Sequence, residues 1–279
     1  MSDIERIYKY LRWRMYPSDD VAIQRIENIS NTFKKLFKEH KAYSSLRNKG
    51  EIKILELTCG TGIAGATISK VLHDMGYDIH ICFTDVRKED LKYVDEWLEI
   101  LDLEDIDYTT VEADAIEIDE HLDDNYDLII SWGSSIAHFD VFEYISMLSS
   151  IHELAKQDAV VMIEQANIGW RIMFNRSFER LVVEGGLTED GKGVISIFTG
   201  YDPLKGVQFR QYYIIPEYKY IGMMKSRLWD ISSLLGFLWI YFKNIDAVQH
   251  FEIRNTYVLL AWDKRRNPGV GLKYVDEKE

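Results

Sequence analysis

Short apolar runs alternate with longer amphipathic stretches between residues 53 and 166. The short runs are apolar at nearly every position, which predicts strands buried on both faces. The longer stretches, at residues 63–75, 89–101 and 141–155, have the apolar spacing of helices. Strands that alternate with helices along a chain are typical of a parallel sheet covered on both faces. The predicted strands are KILEL, DIHICFTD, YTTVEAD, YDLIISWG and AVVMIEQA.

The segments on either side of this core follow other patterns. Residues 4–14 and 20–47 have helical spacing, whereas VISIFTGYDPLKGVQFRQYYII predicts an antiparallel hairpin that turns near Asp202. A short helix near residues 228–235 is expected next, followed by two strands, FLWIYF and TYVLLAW. We therefore predict an N-terminal helical cap (1–50), a cofactor-binding core (51–166), an inserted substrate lid (167–230) and final strands that complete the core sheet (231–279).

Composition and charge narrow the class of protein. The chain has 279 residues, of which 47% are apolar and 13% aromatic, so it can bury a large core and disorder is not expected. Its formal net charge of −13 argues against a surface that binds nucleic-acid phosphates. Residues 1–50 are the exception, because they carry 11 basic and 6 acidic side chains. That excess is typical of a solvated helical face, although a local docking surface would show it too.

Cysteine usage and the N-terminus indicate the compartment. Cys59 and Cys82 form no Cys-x-x-Cys pair and lie in apolar strand-like runs, which fits a reduced cytoplasmic interior. The N-terminus lacks the apolar segment of a signal peptide, and the apolar run at residues 231–242 is too short to span a bilayer. The seven histidines make no metal-binding spacing. We expect a cytoplasmic protein without a metal site.

The turn after the first strand, ELTCGTGIAG, fits two kinds of nucleotide site. From Gly60 onward it is a Gly-x-Gly-x-x-Gly segment with an acid, Asp85, about 20 residues beyond it, as in a dinucleotide fingerprint. Glu56 decides between the two, because a carboxylate at the strand tip repels a diphosphate and attracts a cationic sulfonium. Glycines in the turn let the backbone approach the ligand closely. The turn therefore predicts a methyl-donor site at Glu56, Gly60, Thr61 and Gly62.

Acidic residues follow the next two strands. Asp85 ends DIHICFTD, where a carboxylate can accept both hydroxyls of a ribose. Asp114 follows the third strand, where it can accept the exocyclic amine of an adenine, and the small Ala115 beside it lets the ring lie flat. An N-cap for Asp85 and a solvated acidic loop for Asp114 are the structural alternatives. Asp85 therefore indicates that a nucleoside binds here, but it fits a dinucleotide and a methyl-donor cofactor equally well.

The segment SWGSSIAHF follows the fourth strand, at the sheet edge where donor and acceptor would meet. Ligands of open parallel sheets bind beyond the carboxyl ends of the strands, so its polar side chains are site candidates. His138 can position or deprotonate an acceptor near neutral pH, and Ser134 offers a hydroxyl. Ser131 is assigned to the cofactor site. A structural hydrogen bond is the alternative role for His138.

In this order, the motifs resemble those of a class I S-adenosylmethionine-dependent methyltransferase. The resemblance covers residues 53–166 and rests on ELTCGTG, Asp85, Asp114-Ala115 and YDLIISWGSS. It implies S-adenosylmethionine as cofactor, methyl transfer as activity and a Rossmann-like α/β fold. In that fold a seven-stranded, mostly parallel sheet carries helices on both faces and has an antiparallel last strand, a place that suits FLWIYF and TYVLLAW. The N-terminal helical cap and an antiparallel β lid complete the predicted fold class.

Within that family, WGSSIAHF followed by an antiparallel lid is similar in layout to the glycine N-methyltransferase-like branch. Three positions depart from the family patterns: Thr58 replaces the first glycine of the turn, Ser134 replaces an asparagine, and Ala166 replaces an arginine that clamps the substrate carboxylate. The last two argue against glycine as the acceptor. Trp170 and Arg171, a few residues beyond, are predicted to bind the substrate.

We expect methyl transfer to a small-molecule acceptor in a cleft closed by the N-terminal helices and the lid. No nucleic-acid or membrane partner is expected, and the sequence is compatible with an oligomer. Three alternatives stay open: a non-catalytic S-adenosylmethionine-binding protein, an RNA or protein methyltransferase that docks through the basic N-terminal segment, and an NAD(P)-dependent oxidoreductase. Candidates for an amine-binding pocket, or for sheet core, are the lid tyrosines Tyr212, Tyr213, Tyr218 and Tyr220.

Overall fold

The predicted alternation of strands and helices is present in the computed structural model, which describes residues 3–11, 16–19, 21–170, 180–188, 191–270 and 272. The helices are α1 (Asp3–Tyr8), α2 (Ala22–Glu39), α3 (Ile63–Asp74), α4 (Lys88–Leu91), α5 (Val94–Ile100), α6 (Val141–Leu154) and α7 (Ile231–Tyr241). The strands are β1 (Glu51–Leu57), β2 (Asp78–Asp85), β3 (Asp107–Glu112), β4 (Tyr126–Ser131), β5 (Ala155–Ala166), β6 (Leu181–Glu184), β7 (Gly193–Asp202), β8 (Val207–Ile215), β9 (Lys219–Arg227), β10 (Phe242–Gln249) and β11 (Thr256–Lys264).

The core sheet has seven strands in the order β10-β11-β5-β4-β1-β2-β3. Strands β1 to β5 pair in parallel, and β11 runs antiparallel to both of its neighbours, β5 and β10. Chain order reverses beside β1, which pairs with β2 on one side and β4 on the other. In open α/β sheets this reversal is where ligands bind. The predicted mostly parallel seven-stranded sheet is confirmed.

Apolar packing covers both faces of the core sheet. On one face Ile52 and Ile54 of β1 belong to a cluster with Trp97 of α5, and on the other Leu55 belongs to a cluster with Tyr144 of α6. Successive residues of a strand point to opposite faces, so each face receives alternate positions of β1. This explains why the core strands are apolar at nearly every position.

The prediction of FLWIYF as a strand is wrong. Residues up to Tyr241 continue helix α7, and the edge strand β10 begins only at Phe242. Asp230 fixes the start of the helix, since its side chain caps the backbone N–H of Ser233 at 2.9 Å. Leu234 and Leu238, four residues apart, are fully buried, which is helical spacing. An apolar run without clear periodicity fits a strand and a buried helix equally well, and packing decided between them.

The N-terminal helices are shorter than predicted. Helix α1 ends at Tyr8, and residues 12–15 of the predicted helix lie outside the described part of the chain. Helix α2 ends at Glu39, after which the chain forms two short 3₁₀ turns. Arg47 explains this end, because its guanidinium donates to the free carbonyls of Phe37 and His40 at 2.6 and 3.2 Å.

A separate antiparallel sheet, called the second sheet here, contains β6, β7, β8 and β9 in that order. It is inserted between β5 and α7, where the lid was predicted. Helix α1 packs on it, with Ile7 in a cluster with Ile221 and Met224. Asp3 ties the same helix to β9, accepting the backbone N–H of Met223 at 3.0 Å. Among the described helices, none combines the length and the apolar character needed to cross a membrane.

Candidate active site

Three cavities meet at the carboxyl-terminal edge of the core sheet. The Asp114 cavity, of about 510 Å³, is lined by Asp85, Asp114 and residues of α1. The glycine-loop cavity, of about 170 Å³, lies over the turn after β1. The second-sheet cavity, of about 520 Å³, lies between the core edge and the second sheet. Tyr8 lines all three, so the cavities adjoin at its side chain.

The turn after β1 has an unusual backbone. Gly60 and Gly62 have φ of 59° and 86°, and Gly62 starts helix α3 in the left-handed conformation. Thr58 also has a positive φ, 54°, which is an outlier for a β-branched residue and costs about 1–3 kcal/mol. Its hydroxyl lies 3.0 Å from the Ser131 hydroxyl. The strain occurs at a residue that lines two of the cavities, as expected of a functional turn.

Glu56 lies beneath this turn and lines the glycine-loop cavity. Its carboxyl group is buried and accepts the backbone N–H of Gly65 at 3.0 Å. Burial raises the pKa of Glu56 well above its usual value, while the Gly65 hydrogen bond opposes the shift. A Cβ on Gly65 would lie 2.3 Å from Oε2 of Glu56, so this glycine is required by the carboxyl group below it. Thr61 lines the same cavity and accepts from the Trp97 indole at 3.1 Å.

Asp85, at the end of β2, is held by the backbone and by a neighbour that the sequence analysis missed. Its carboxylate accepts the N–H of Gly60 at 2.7 Å and the N–H of Arg87 at 2.9 Å. The Arg87 guanidinium adds two more bonds, at 3.0 and 3.2 Å. Arg87 also pairs with Asp90 at 2.6 Å and lies 4.4 Å from the centre of the Tyr8 ring. Burial acts to lower the pKa of Arg87, but the charge and hydrogen bonds of Asp85 outweigh it and raise that pKa.

Asp114 and Ala115 line the Asp114 cavity together with Asp85, as predicted for residues that follow neighbouring strands. Asp114 accepts the N–H of Ile116 at 3.2 Å, which closes a tight turn. Ala115 is buried.

His138 lies between the two large cavities and lines both. Its Nε2 is 2.7 Å from the Tyr8 hydroxyl, and its Nδ1 has no hydrogen-bond partner among the described residues. Burial lowers the pKa of His138 to about 4, and the cation of Arg87 adds to the shift. The imidazole is therefore neutral at physiological pH. Burial likewise raises the pKa of Tyr8 to about 12, so its hydroxyl keeps its proton.

A second acid supports the loop after β4. Glu164, buried at the end of β5, accepts the backbone N–H groups of Gly133 and Ser134 at 2.8 and 3.1 Å. Arg25 of α2 lies 4.0 Å from the same carboxylate and lines both the glycine-loop and second-sheet cavities. Two features of the sequence pointed to these residues: Glu164 is an acid at the tip of an apolar strand, and Arg25 lies in a basic N-terminal helix. Neither feature predicts that the two side chains meet.

The remaining predicted site residues have different places. Ser134 lines the second-sheet cavity and its hydroxyl accepts the N–H of Ala166 at 2.9 Å, whereas Ser131 lines none of the three cavities and supports Thr58 instead. Trp170 is also absent from the cavity walls; its backbone N–H donates to Asn167 at 3.1 Å. Arg171 lies outside the described residues.

Of the four lid tyrosines, Tyr212 lines the second-sheet cavity. Tyr218 and Tyr220 are exposed, and Tyr213 packs edge-on against Tyr220 at 5.6 Å. Within the described residues, no group of three or more His, Cys, Asp or Glu side chains is arranged to hold a metal ion.

The second sheet contributes polar side chains to its cavity, beside the apolar Val182 and Met224. Arg210 of β8 is buried and donates to the Ser196 hydroxyl at 2.7 Å, and that hydroxyl donates to Glu184 at 2.5 Å. Gln208 of β8 donates its amide to Ser226 at 3.0 Å, and its carbonyl oxygen has no partner among the described residues. Except for Ser196, these side chains line the cavity wall. Such a wall suits a ligand that can form hydrogen bonds.

Comparisons with known proteins agree with this geometry. Residues 54–158 match the family model described as "Methyltransferase domain". That match covers β1 through the start of β5, which includes the glycine turn, Asp85, Asp114 and the loop with His138. No curated protein matches the sequence at a significant level.

Solved structures show the same fold at low sequence identity. An S-adenosylmethionine-dependent methyltransferase from Clostridium acetobutylicum ATCC 824 is 12% identical with a TM-score of 0.60, and the match covers 87% of this chain and 95% of that one. The PH0226 protein from Pyrococcus horikoshii OT3 is 15% identical with a TM-score of 0.57, covering 95% and 100%. The CcbJ methyltransferase from Streptomyces caelestis is 13% identical with a TM-score of 0.54, covering 85% and 98%.

The family match over the core and the strand order of the whole sheet lead to the same assignment. Residues 54–158 of the chain match a methyltransferase domain, and the chain shares the fold of a solved S-adenosylmethionine-dependent methyltransferase.

Proposed function

We propose that this protein transfers the methyl group of S-adenosylmethionine to a small-molecule acceptor held in the second-sheet cavity. One observation carries the proposal: two cavities lined by most of the predicted cofactor residues adjoin a third, of about 520 Å³, between the core edge and the second sheet. The lining cofactor residues are Glu56, Gly60, Thr61, Asp85, Asp114 and Ala115. A volume of that order is typical of small-molecule sites.

The residues present fit the cofactor. Asp85 and Asp114 line one wall of the Asp114 cavity, where a ribose and an adenine would find acceptors. Gly60 lines the adjoining glycine-loop cavity, so a methionine moiety could approach its backbone. Gly62 lines none of the three cavities, and a Cβ added there would meet Val94 and Phe83 of the core. Arg25 supplies a cation for the methionine carboxylate, because it lines the glycine-loop cavity.

When bound, S-adenosylmethionine supplies an electrophilic methyl group on a sulfonium. The protein then has to hold the acceptor atom in line with that methyl group, exclude water and handle one proton. Positioning of this kind can lower a barrier by about 7–11 kcal/mol. His138, a neutral imidazole, is our candidate for orienting the acceptor, and Ser134 lines the same cavity.

The acceptor class follows from the cavity wall. A hydrocarbon-like acceptor would leave the buried Arg210 and Gln208 and the half-buried Glu184 facing apolar surface, which is unfavourable. We therefore propose a polar acceptor with several hydrogen-bonding groups. The layout supports placement in the glycine N-methyltransferase-like branch, while Ser134 and Ala166 argue against glycine itself.

The test starts with calorimetric titration of the purified protein with S-adenosylmethionine, S-adenosylhomocysteine, NAD and NADP. We expect micromolar binding of the first two alone; binding of a dinucleotide instead would overturn the assignment. Transfer of a tritiated methyl group to a panel of small polar and apolar acceptors, protein and RNA follows. Transfer to protein or RNA, or to apolar compounds only, would contradict the proposed acceptor class.

A further inference from the structure

The Asp85 carboxylate is fully occupied by groups of this chain. A carboxylate offers about four acceptor positions on its two oxygens. Oδ1 accepts the N–H and Nε of Arg87, at 2.9 and 3.0 Å. Oδ2 accepts the Gly60 N–H at 2.7 Å and Nη2 of Arg87 at 3.2 Å. A ribose diol can therefore hydrogen-bond to both oxygens of Asp85 only if the Arg87 guanidinium moves away.

Arg87 is held over the glycine turn from three sides. Besides Asp85, its guanidinium pairs with Asp90 at 2.6 Å and lies 4.4 Å from the centre of the Tyr8 ring. A Cβ on Gly60 would lie 3.0 Å from Nη2, so the guanidinium lies directly against the turn. The Arg87 side chain is only 13% exposed. A cation over an aromatic face is attracted more strongly when both are withdrawn from water.

Tyr8 links this cluster to the acceptor side of the site. It is the last residue of α1, whose neighbouring residue Ile7 packs against Ile221 and Met224 of the second sheet. Its ring contacts Arg87, and its hydroxyl is bonded to His138. A movement of Arg87 therefore removes a contact from the helix that spans the core edge and the second sheet.

We propose that Arg87 is an internal competitor of the cofactor ribose for Asp85, and that Tyr8 holds it in the competing position. Binding of the nucleoside exchanges the guanidinium for the diol at Asp85, while Asp90 keeps Arg87 paired. The apparent cofactor affinity is then lower than the intrinsic one by the fraction of molecules in which Asp85 is free. Arg87 and Tyr8 therefore set the affinity for the cofactor and couple it to the packing of α1 on the second sheet.

The test measures binding of S-adenosylhomocysteine, which needs no acceptor and no turnover. Arg87→Met removes the competing donors and keeps the apolar stem, so we expect its Kd to fall roughly tenfold, as for a competent fraction of about one tenth. Arg87→Lys keeps a positive charge but loses the planar guanidinium, so its Kd should lie between those of wild type and Arg87→Met. Lys88→Ala is the matched control, because it removes an exposed cation that pairs with Glu112 and does not contact Asp85.

Two tyrosine variants separate the ring from the hydroxyl. Tyr8→Phe keeps the ring over Arg87 and should leave the Kd of S-adenosylhomocysteine near that of wild type. Tyr8→Leu keeps apolar bulk but loses the aromatic face, and its Kd should move toward that of Arg87→Met. Hydrogen exchange of residues 3–11 should rise when S-adenosylhomocysteine binds wild type, because Tyr8 loses its cation, and should not change in Arg87→Met.

A thermal melt of each variant comes first; if Arg87→Met does not fold, Arg87→Lys and Tyr8→Leu carry the test. The exchange is wrong if the Kd of the Arg87 variants is higher than or equal to that of wild type. It is also wrong if Tyr8→Leu has the same Kd as Tyr8→Phe. Either result leaves the proposed function standing. A retained preference for adenosine over 2′-deoxyadenosine in Arg87→Met supports the diol as the competing group, and its loss contradicts it. If neither wild type nor Arg87→Met binds S-adenosylhomocysteine, both proposals fail.

Discussion

Single side chains at the core edge carry charges and protons whose state depends on burial. Asp85 is buried but saturated with N–H donors, Glu56 is buried with one donor, and His138 is half-buried with one neutral partner. A buried charge persists only where hydrogen bonds or an opposite charge compensate for lost hydration. This orders the three groups: an ion-paired carboxylate at Asp85, a carboxyl group with a raised pKa at Glu56 and a neutral imidazole at His138.

Asp85→Asn should weaken binding of S-adenosylhomocysteine by roughly 10- to 100-fold, because hydrogen bonds to a charged group contribute about 1.5–3 kcal/mol each. Asp74→Asn is the control, since this exposed side chain pairs with Lys70, lines none of the three cavities and should leave the Kd unchanged. Calorimetry on the three proteins decides; equal affinity in Asp85→Asn would remove Asp85 from the cofactor site.

Acid should destabilise the fold through two histidines. Burial lowers the pKa of His138 and of His250 from 6.5 to about 4, and Nδ1 of His250 must stay unprotonated to accept two backbone N–H groups at 3.1 Å. Between these pH values the unfolded chain binds protons that the folded chain does not, so stability is present above pH 6.5 and lost as the pH falls toward 4.

Urea unfolding of wild type at pH 7.5 and 5 measures this loss. His250→Asn keeps an acceptor at the same place and cannot titrate, so it should lose less stability between the two conditions than wild type. A loss of the same size in the variant would show that His250 does not contribute.

At the scale of elements, the site depends on how helices begin and end. Helix α3 starts at Gly62 in a left-handed conformation directly after the turn, while α6 starts with a full capping box between Asp140 and Glu143. In the first arrangement the N-cap glycine has no side chain to cap the helix, and the Glu56 carboxyl group accepts the N–H of Gly65 in the first turn instead. The second fixes the segment that carries His138, immediately before it.

Two helical glycines should respond in opposite ways to alanine. In Gly65→Ala the added carbon would lie 2.3 Å from Glu56 and 2.7 Å from Phe83, so we expect destabilisation by about 1–3 kcal/mol. In Gly236→Ala of α7 it would meet nothing within 4 Å, so the helix should gain about 0.5–1 kcal/mol. Chemical denaturation gives both values, and a neutral Gly65→Ala would contradict close packing of α3 on β1 and β2.

At the scale of the whole molecule, the core and the second sheet share one cavity. The two segments that connect them lie next to each other. A Cβ on Gly169, just after β5, would lie 3.5 Å from Cβ of Asp230, just before α7, so the insertion leaves and re-enters the core at neighbouring positions. Trp229 belongs to the core side of this junction, since it is buried with Tyr144 and donates to the Ile136 carbonyl at 3.1 Å.

Replacing residues 170–227 with a short Gly-Ser linker should therefore leave a folded core that still binds S-adenosylhomocysteine, because domain insertions with neighbouring ends are tolerated. Methyl transfer to the acceptor should be lost along with the second-sheet wall. Circular dichroism tests folding, calorimetry tests binding of S-adenosylhomocysteine, and the tritium assay tests methyl transfer. An unfolded core would show that the core needs the second sheet to fold.

Local sequence by itself determined the order of strands and helices from β1 to β5, the glycine turn and the acids at the strand ends. These follow from apolar periodicity and from the fixed rule that parallel strands end at one edge, so Glu56, Gly60, Asp85, Asp114 and His138 could be placed near one another in advance.

Only the tertiary structure decided what depends on distant partners. It turned FLWIYF into helix by packing Leu234 and Leu238 against the core, and it brought Tyr8 to Arg87 and His138 across 79 and 130 positions of the chain. It also placed Arg25 beside Glu164 and brought Glu184, Gln208 and Arg210 of the second sheet to the cavity wall. Local patterns specify elements, whereas contacts between elements depend on register, crossing and burial, which no short window of sequence contains.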